Sequence, residues 1–350
     1  MLPATQIFDV MIFFIGTLCF LRGVDRRLLI FFVLSLSYVV CSFFYSFYFT
    51  DTHPLDFLQA YKAFIYVCIV ASCFEKRIFE VRALYVFVWV MLLCFIFKYS
   101  YSLVFDFTER MGSRPGVFDE NNFELMFFVL MVLLFSVFNA PKFNYFTLAV
   151  FILVFISGSR SALLANCVVL AFIYFKKFDL KFVISLVFFP LILLVVFNVF
   201  IARLGGGSLD DIDRVWFFNL FLNEVYNWGF SDFLFGSDRL TPLSSDVCKA
   251  LFFYEKLFSY KENGDCYSVI FHSYFLRAVF DHGFLGLSFI ISFYWYLLKF
   301  FGFSSRVTLA FILAVSMSAL SVSSFNSVYV ALASVVFINV YRTKDSYDLR

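Results

Sequence analysis

Apolar runs of roughly 15–22 residues, the length that crosses a bilayer as helix, recur along this chain from one end to the other. They fall at 4–21, 28–49, 57–73, 83–103, 122–139, 143–157, 161–175, 182–202, 271–298, 307–323 and 327–341. In hydrocarbon every backbone N–H and C=O must be satisfied within the chain, so such runs fold as helices. Composition excludes a soluble domain. Of 350 residues, 63% are hydrophobic and 15% charged, and the mean hydropathy is +0.90, more apolar surface than a soluble fold of this size can bury. The expected fold is all-α, a polytopic integral membrane protein with about eleven transmembrane helices, in a range of roughly ten to twelve, and one large extracytoplasmic loop. No basic stretch or small-residue cleavage site precedes the first run, which is expected to stay as the first span. The 58 phenylalanines carry no functional signal, because Phe faces lipid as readily as Leu. Cys19, Cys41, Cys68, Cys73, Cys94 and Cys167 lie in or beside the runs and read as small apolar packing residues. Cys248 and Cys266 share one polar loop and can pair if it faces an oxidising compartment.

The net charge of +2 says little, so the placement of charge carries the weight. The connections at 22–27, 74–82, 141–143, 176–181 and 299–306 and the tail from 341 are basic. Those at 50–56, 157–160 and 323–326 are short and mostly not. The two kinds alternate, and the positive-inside rule then gives one topology: N-terminus outside, C-terminus in the cytoplasm. Two larger segments, 104–121 and 203–270, lie outside. The second is the large loop, too short and irregular to read as a separate domain, so 1–350 is one membrane domain. Asp9, Lys62, Lys98, Glu124, Arg160, Arg277 and Asp281 all fall in the outer parts of their helices under this topology. Snorkelling accounts for the long side chains. A polar cavity open to the outer side accounts for the whole set, the short Asp9 and Asp281 included.

Arg160 is the only charge in the apolar stretch from Phe143 to Phe175. A guanidinium there costs several kcal/mol and is rarely placed without a purpose. The stretch is 33 residues, about 50 Å as helix at ~1.5 Å per residue, too long for one span and short for two. Two short helices meeting in a submerged turn are expected. Gly158 allows the bend, and Ser157, Ser159 and Ser161 satisfy freed backbone groups. Arg160 then opens the second helix, beside a positive dipole end, which favours an anion between them. On the outer face of a membrane the simplest such anion is a phosphate or pyrophosphate.

Three other outer segments carry similar polar content. "RMGSRPGVFDENN" (110–122) has Arg110, Arg114 and an Asn pair opening a helix. "RLGGGSLDDIDRVWFFN" (203–219) has Arg203, a Gly-rich turn, an acidic cluster and Arg214. "FHSYFLRAVFDHGFLGL" (271–287) has His272 and Arg277, with a Gly283–Gly286 pair suited to close helix packing. Each has a structural alternative. Arg214 balances Asp210, Asp211 and Asp213; the acidic triplet is solvated loop charge, with no further ligand at metal spacing; "GGG" lacks the Lys and Ser/Thr of a P-loop. His53 and His282 have no partner motif and read as structural.

In order and spacing these segments resemble the O-antigen polymerase and ligase superfamily, the Wzy-type bacterial membrane glycosyltransferases. "GVFDENN" (116–122) resembles the family's G-x-F-x-(D/N)-x-N element before a span, with Glu120 at the Asp/Asn position. "SGSRSA" (157–162) matches its S/T-x-S/T-R-(G/S)-A turn. Arg214–Trp216 matches the Arg before an aromatic loop helix, and "HSYFL…GFLGL" (272–287) matches H-(N/S)-x-(Y/F)-L…GxxGL. The likeness runs from about Gly112 to Leu287, half the chain. There are departures: "DFLFGSDR" (232–239) has one Gly where the family has P-x-x-G-x-G, and His-Ser replaces the common His-Asn.

The resemblance implies a donor glycan on undecaprenyl pyrophosphate at the outer face of the bacterial inner membrane, transferred to an acceptor hydroxyl. Arginine suits the leaving group, because its planar fork binds phosphate oxygens bidentately and stays charged. The implied catalytic set is Arg160 and Arg214 on the pyrophosphate and His272 orienting or deprotonating the acceptor. Arg114, Arg203 and Arg277 are implied as further phosphate or sugar contacts, and Asn122 and Glu124 as binders of sugar hydroxyls. Trp216, Trp228 and Tyr254 either stack on sugars or pack a core. No metal, cofactor or nucleic acid is implied. The implied partners are the undecaprenyl-pyrophosphate-linked oligosaccharide, membrane lipid and a chain-length regulator. A polymerase is the expected activity. A ligase acting on lipid A–core and, from another class, a polysaccharide flippase are the alternatives; against the flippase, the ionisable residues sit on one side and no inverted repeat is visible.

Overall fold

The fold comes from a computed structural model, which describes residues 4–74, 78, 80–105, 121–138, 143–157, 159–175 and 213–347. Among the described residues there are helices and no strands. The bundle helices are α1 (Ala4–Phe20), α2 (Leu29–Phe49), α3 (Pro54–Ser72), α4 (Val81–Phe105), α5 (Asn121–Val137), α6 (Phe143–Ser157) and α7 (Arg160–Tyr174). After them come three short loop helices, α8 (Asp213–Glu224), α9 (Phe230–Phe235) and α10 (Ser245–Ala250). The chain then returns to the bundle as α11 (Tyr274–Phe300), α12 (Ser305–Ala319) and α13 (Val328–Tyr347). Each expected span that falls on described residues coincides with a helix. The one at 182–202 lies outside them, as do Arg114 and Arg203.

Four described helices are long and apolar enough to cross a membrane: Leu29–Phe49, Pro54–Ser72, Val81–Tyr101 and Tyr274–Phe300. The other apolar helices are shorter, at 10–17 residues. Their outward surface is greasy. Along α2 the exposed residues include Ile30, Leu34, Phe44, Phe47 and Phe49, which is how a lipid-facing helix differs from a soluble one.

Two helices form the hubs. α5 is buried all round from Leu125 to Leu134, and α6, α7, α12 and α13 pack on it. α3 is surrounded by α1, α2, α11 and α13. Small polar residues let α2 approach closely: Ser35, Ser42 and Ser46 are buried, and Ser35 Oγ donates to Phe64 O at 2.8 Å.

The bundle has two chemically distinct ends. At one lie the basic connections 22–27 and 299–306, the two that the described residues cover in full. Arg27 lies 4.7 Å from the Phe300 ring centroid, Phe74 packs on Phe300 and Phe301, and Arg306 Nε donates to Phe172 O at 2.6 Å. At the other end lie the turns at 50–53 and 157–160, the turn at 320–327 and the large loop. That loop is clamped to the bundle. Asp56, buried at the start of α3, accepts from Ser259 Oγ at 2.7 Å, and Lys261 pairs with Asp51 at 2.6 Å. The loop also builds a small core of its own from Phe217, Phe221, Leu243, Val247 and Ile270, with Cys248 and Cys266 joined in a disulfide.

Candidate functional site

The 143–175 stretch folds as two helices of 15 residues each, about 22 Å long at ~1.5 Å per residue and shorter than a bilayer core. The expected serine chemistry is present at Ser157 and Ser159, with Ser161 Oγ 3.5 Å from Ser159 Oγ. Ser157 Oγ takes Ser159 N at 3.2 Å, and Ser159 caps α7 by accepting from Ala162 N. Gly158 lies outside the described residues. Ser159 Oγ also donates to Asn122 Oδ1 at 2.6 Å, so the first turn of α5 is bonded to this turn through Asn122. Arg160 is the first residue of α7 and is partly exposed.

A chain of contacts links this turn to His272. α7 and α12 pack along each other, and the Arg306–Phe172 bond fixes the start of α12 at the end of α7. They are therefore antiparallel, and Arg160 lies at the Ala319 end of α12. Ser273 Oγ donates to Ala319 O at 3.2 Å. His272, its neighbour, is thus at the same end of the bundle as Arg160, Ser159 and Asn122.

His272 has an unusual backbone. Its φ is 55° and ψ −38°, and Ser273 N bonds back to Phe271 O around it. This is the rare positive-φ γ-turn, a strained conformation for a residue with a side chain. The exposed imidazole meets Phe217 edge-on at 5.4 Å and Tyr254 at 5.8 Å. Arg214, exposed on α8, stands three residues before Phe217, on the same helix face. Phe217 thus links the Arg214 face to His272.

Other expected site residues lie elsewhere. Glu124 is buried and accepts from Tyr329 Oη of α13 at 3.4 Å, whereas Asn122 faces α7. Arg277 is only 5% exposed, and its guanidinium is engaged within the protein. It donates to Gln59 O and to Ser323 Oγ, the latter at 3.3 Å, and lies 3.9 Å from Asp281. That geometry ties α11 to α3 and to the turn before α13. Asp9 pairs with Lys62 and accepts from Tyr66 Oη. Of the span charges, Asp9 meets Lys62 and Arg277 meets Asp281, while Glu124 bonds Tyr329 and Arg160 stays partly exposed; the Lys98 side chain lies outside the described residues.

His282 is structural, as expected. Its Nε2 donates to Ala60 O at 3.1 Å, since a carbonyl only accepts, and the neutral ring takes the Tyr38 hydroxyl on Nδ1 at 2.9 Å. His53 caps α3. Trp228 packs in the loop core, stacked on Phe280 at 5.5 Å. Burial pushes the Tyr267 phenol above its ordinary value, and Asp56, Asp265 and Asp51 push it the same way against a Thr52 hydrogen bond. No cluster of three metal-ligating side chains occurs among the described residues. Gln59, Ser323 and Asn326 were missed in the sequence; their signal is polar side chains in or beside short turns between spans. Asn326 Oδ1 accepts from Ala63 N at 2.9 Å and its Nδ2 donates to Gln59 O at 3.1 Å.

Compared with known proteins, the chain matches no family model, no curated protein and no solved structure.

Proposed function

We propose that this chain is a surface-polysaccharide polymerase of the O-antigen type, crossing the bacterial inner membrane about eleven times with the loop end of the bundle in the periplasm. It joins oligosaccharide repeats carried on undecaprenyl pyrophosphate. Arg160 and Arg214 neutralise the pyrophosphate leaving group, and His272 takes the proton of the attacking sugar hydroxyl. Asn122 and Glu124, with Arg114, Arg203 and Arg277, complete the reading as substrate contacts or supports.

One observation carries most of the support. A histidine held in a strained γ-turn beside Phe217, one helical turn from Arg214, stands at the bundle end that also holds Arg160 and its serine turn. Strain of this kind persists where surrounding structure holds a side chain in place, which suits a positioned base.

The test is complementation of a deletion strain, read on a surface-glycan gel. The deletion should lose the ladder and leave a single repeat on the core; loss of all capped core instead assigns a ligase. Arg160→Ala, Arg160→Lys and His272→Ala should each fail to restore the ladder at normal protein levels. Removing a general base costs about 10²–10⁴-fold in rate. If all three variants restored a full ladder, the assignment of the site would be wrong.

A further inference from the structure

The segment from Gly229 to Leu240 does not behave as an aqueous loop. α9 packs on α11 at a break in that helix. Gly283 has φ 63° and ψ −176°, which interrupts the helical ladder inside an apolar span. Ser237 N fills the gap by donating to Phe280 O at 2.7 Å. The two backbones touch. A Cβ on Gly283 would stand 2.3 Å from Leu234 O, and one on Gly236 2.7 Å from His282 N.

This docking carries the segment far down the bundle. Arg239 lies 4.9 Å from the ring centroid of Tyr38, roughly 16 Å from the Phe49 end of α2 at ~1.5 Å per residue. Around it large aromatic rings are exposed, with Asp238 and Ser231 the exposed polar residues of the segment. Phe230 is 83% exposed and Phe235 56%, while Phe233 stacks on Phe284 of α11, itself half exposed. These rings continue the outward face formed by Phe284 and Leu285 on α11. The Arg239 guanidinium is partly exposed and makes no hydrogen bond or ion pair among the described residues. A guanidinium at such depth beside apolar surface is costly unless an anion reaches it.

We propose that residues 229–240 form a re-entrant hairpin seated in the lipid against α11, and that Arg239 holds the phosphate of a membrane phospholipid whose acyl chains lie along Phe230, Phe235 and Phe284. The continuity of the aromatic surface with the outward face of α11 selects lipid as the occupant, and the Arg239 guanidinium, without a hydrogen-bond or ion-pair partner among the described residues, selects its phosphate. This holds whatever reaction the protein performs.

Two measurements on the full-length protein test it. In lipid nanodiscs, with the six free cysteines replaced, spin labels are placed at Phe230→Cys and Phe235→Cys. Phe44→Cys gives the lipid control and Asn263→Cys the aqueous one. Both hairpin labels should collide with oxygen and be shielded from a water-soluble nickel chelate, as at Phe44. Native mass spectrometry then follows retention of phosphatidylglycerol by the wild type and by Arg239→Gln, with inorganic phosphate as a separate probe. The variant should keep its elution volume and disulfide yet retain the lipid at least about tenfold more weakly, the loss expected for one charge-assisted contact. Hairpin labels that are nickel-accessible, as at Asn263, overturn the proposal. So does equal lipid retention, or displacement of the lipid by millimolar inorganic phosphate at Arg239.

Discussion

Arg277 offers the sharpest separation between a substrate contact and a structural tie. Its guanidinium donates to Gln59 O and Ser323 Oγ and sits 3.9 Å from the Asp281 carboxylate, with 5% of the residue exposed. Asp281 is itself buried and accepts from Ser268 Oγ at 2.6 Å. Replacing Arg277 by Met strands a buried carboxylate and removes two charge-assisted hydrogen bonds. Breaking a buried pair from one side costs about 3–5 kcal/mol. Removing both partners, as Arg277→Met with Asp281→Leu, relieves the stranded charge. It still leaves Ser323 and Ser268 short of a partner, at about 1 kcal/mol each, while Gln59 O keeps its bond from Asn326 Nδ2. The double variant should therefore be more stable than Arg277→Met alone, with a coupling of about 1–3 kcal/mol in the cycle. The assay is unfolding of purified protein in mixed micelles titrated with SDS, followed by circular dichroism. If Arg277→Met unfolded at the wild-type midpoint while surface glycan was lost, the tie would be wrong and Arg277 would face substrate.

Other positions give independent checks. Gly283→Ala forces a side chain against Leu234 O at a positive φ, and should cost about 2–4 kcal/mol and expose 229–240 to protease; wild-type protease resistance would refute the lock. Ser159→Ala removes the α7 cap and the Asn122 bond together, costing about 1–2 kcal/mol, and Asn122→Ala added to it should cost less than its effect alone in the same SDS titration. Replacing Cys248 and Cys266 by Ser frees a loop of 18 residues and should weaken the loop core by about 3 kcal/mol, seen as new proteolytic cuts between 243 and 271 while the bundle stays intact.

Much of the fold was legible in the sequence, because a span writes its length into an unbroken apolar run. The division of 143–175 into two helices, the serines that cap the turn, Arg160 as first residue of α7 and the Asn pair opening α5 all follow from lengths and local hydrogen-bonding habits. The site was legible only in part. That Asn122 bonds to Ser159 and that His272 sits by Phe217 are contacts between distant segments, which a local pattern does not encode. Gly283 looked like a helix-packing residue beside Gly286. It marks a break in α11, because the residues that fill the break come from Leu234 to Ser237, nearly fifty positions earlier.

By itself, then, the sequence determined the helices and the alternation of basic and non-basic connections along the chain, since hydrocarbon demands internally bonded backbone and the placement of Lys and Arg is set loop by loop. Only the tertiary structure decided which partners these charges meet. Asp9 and Lys62, Arg277 and Asp281, Asp56 and Ser259 find one another across the bundle, and Arg239 finds the ring of Tyr38. A charge in a low-dielectric interior is governed by whatever lies within a few ångströms, and those neighbours are chosen by packing rather than by position along the chain.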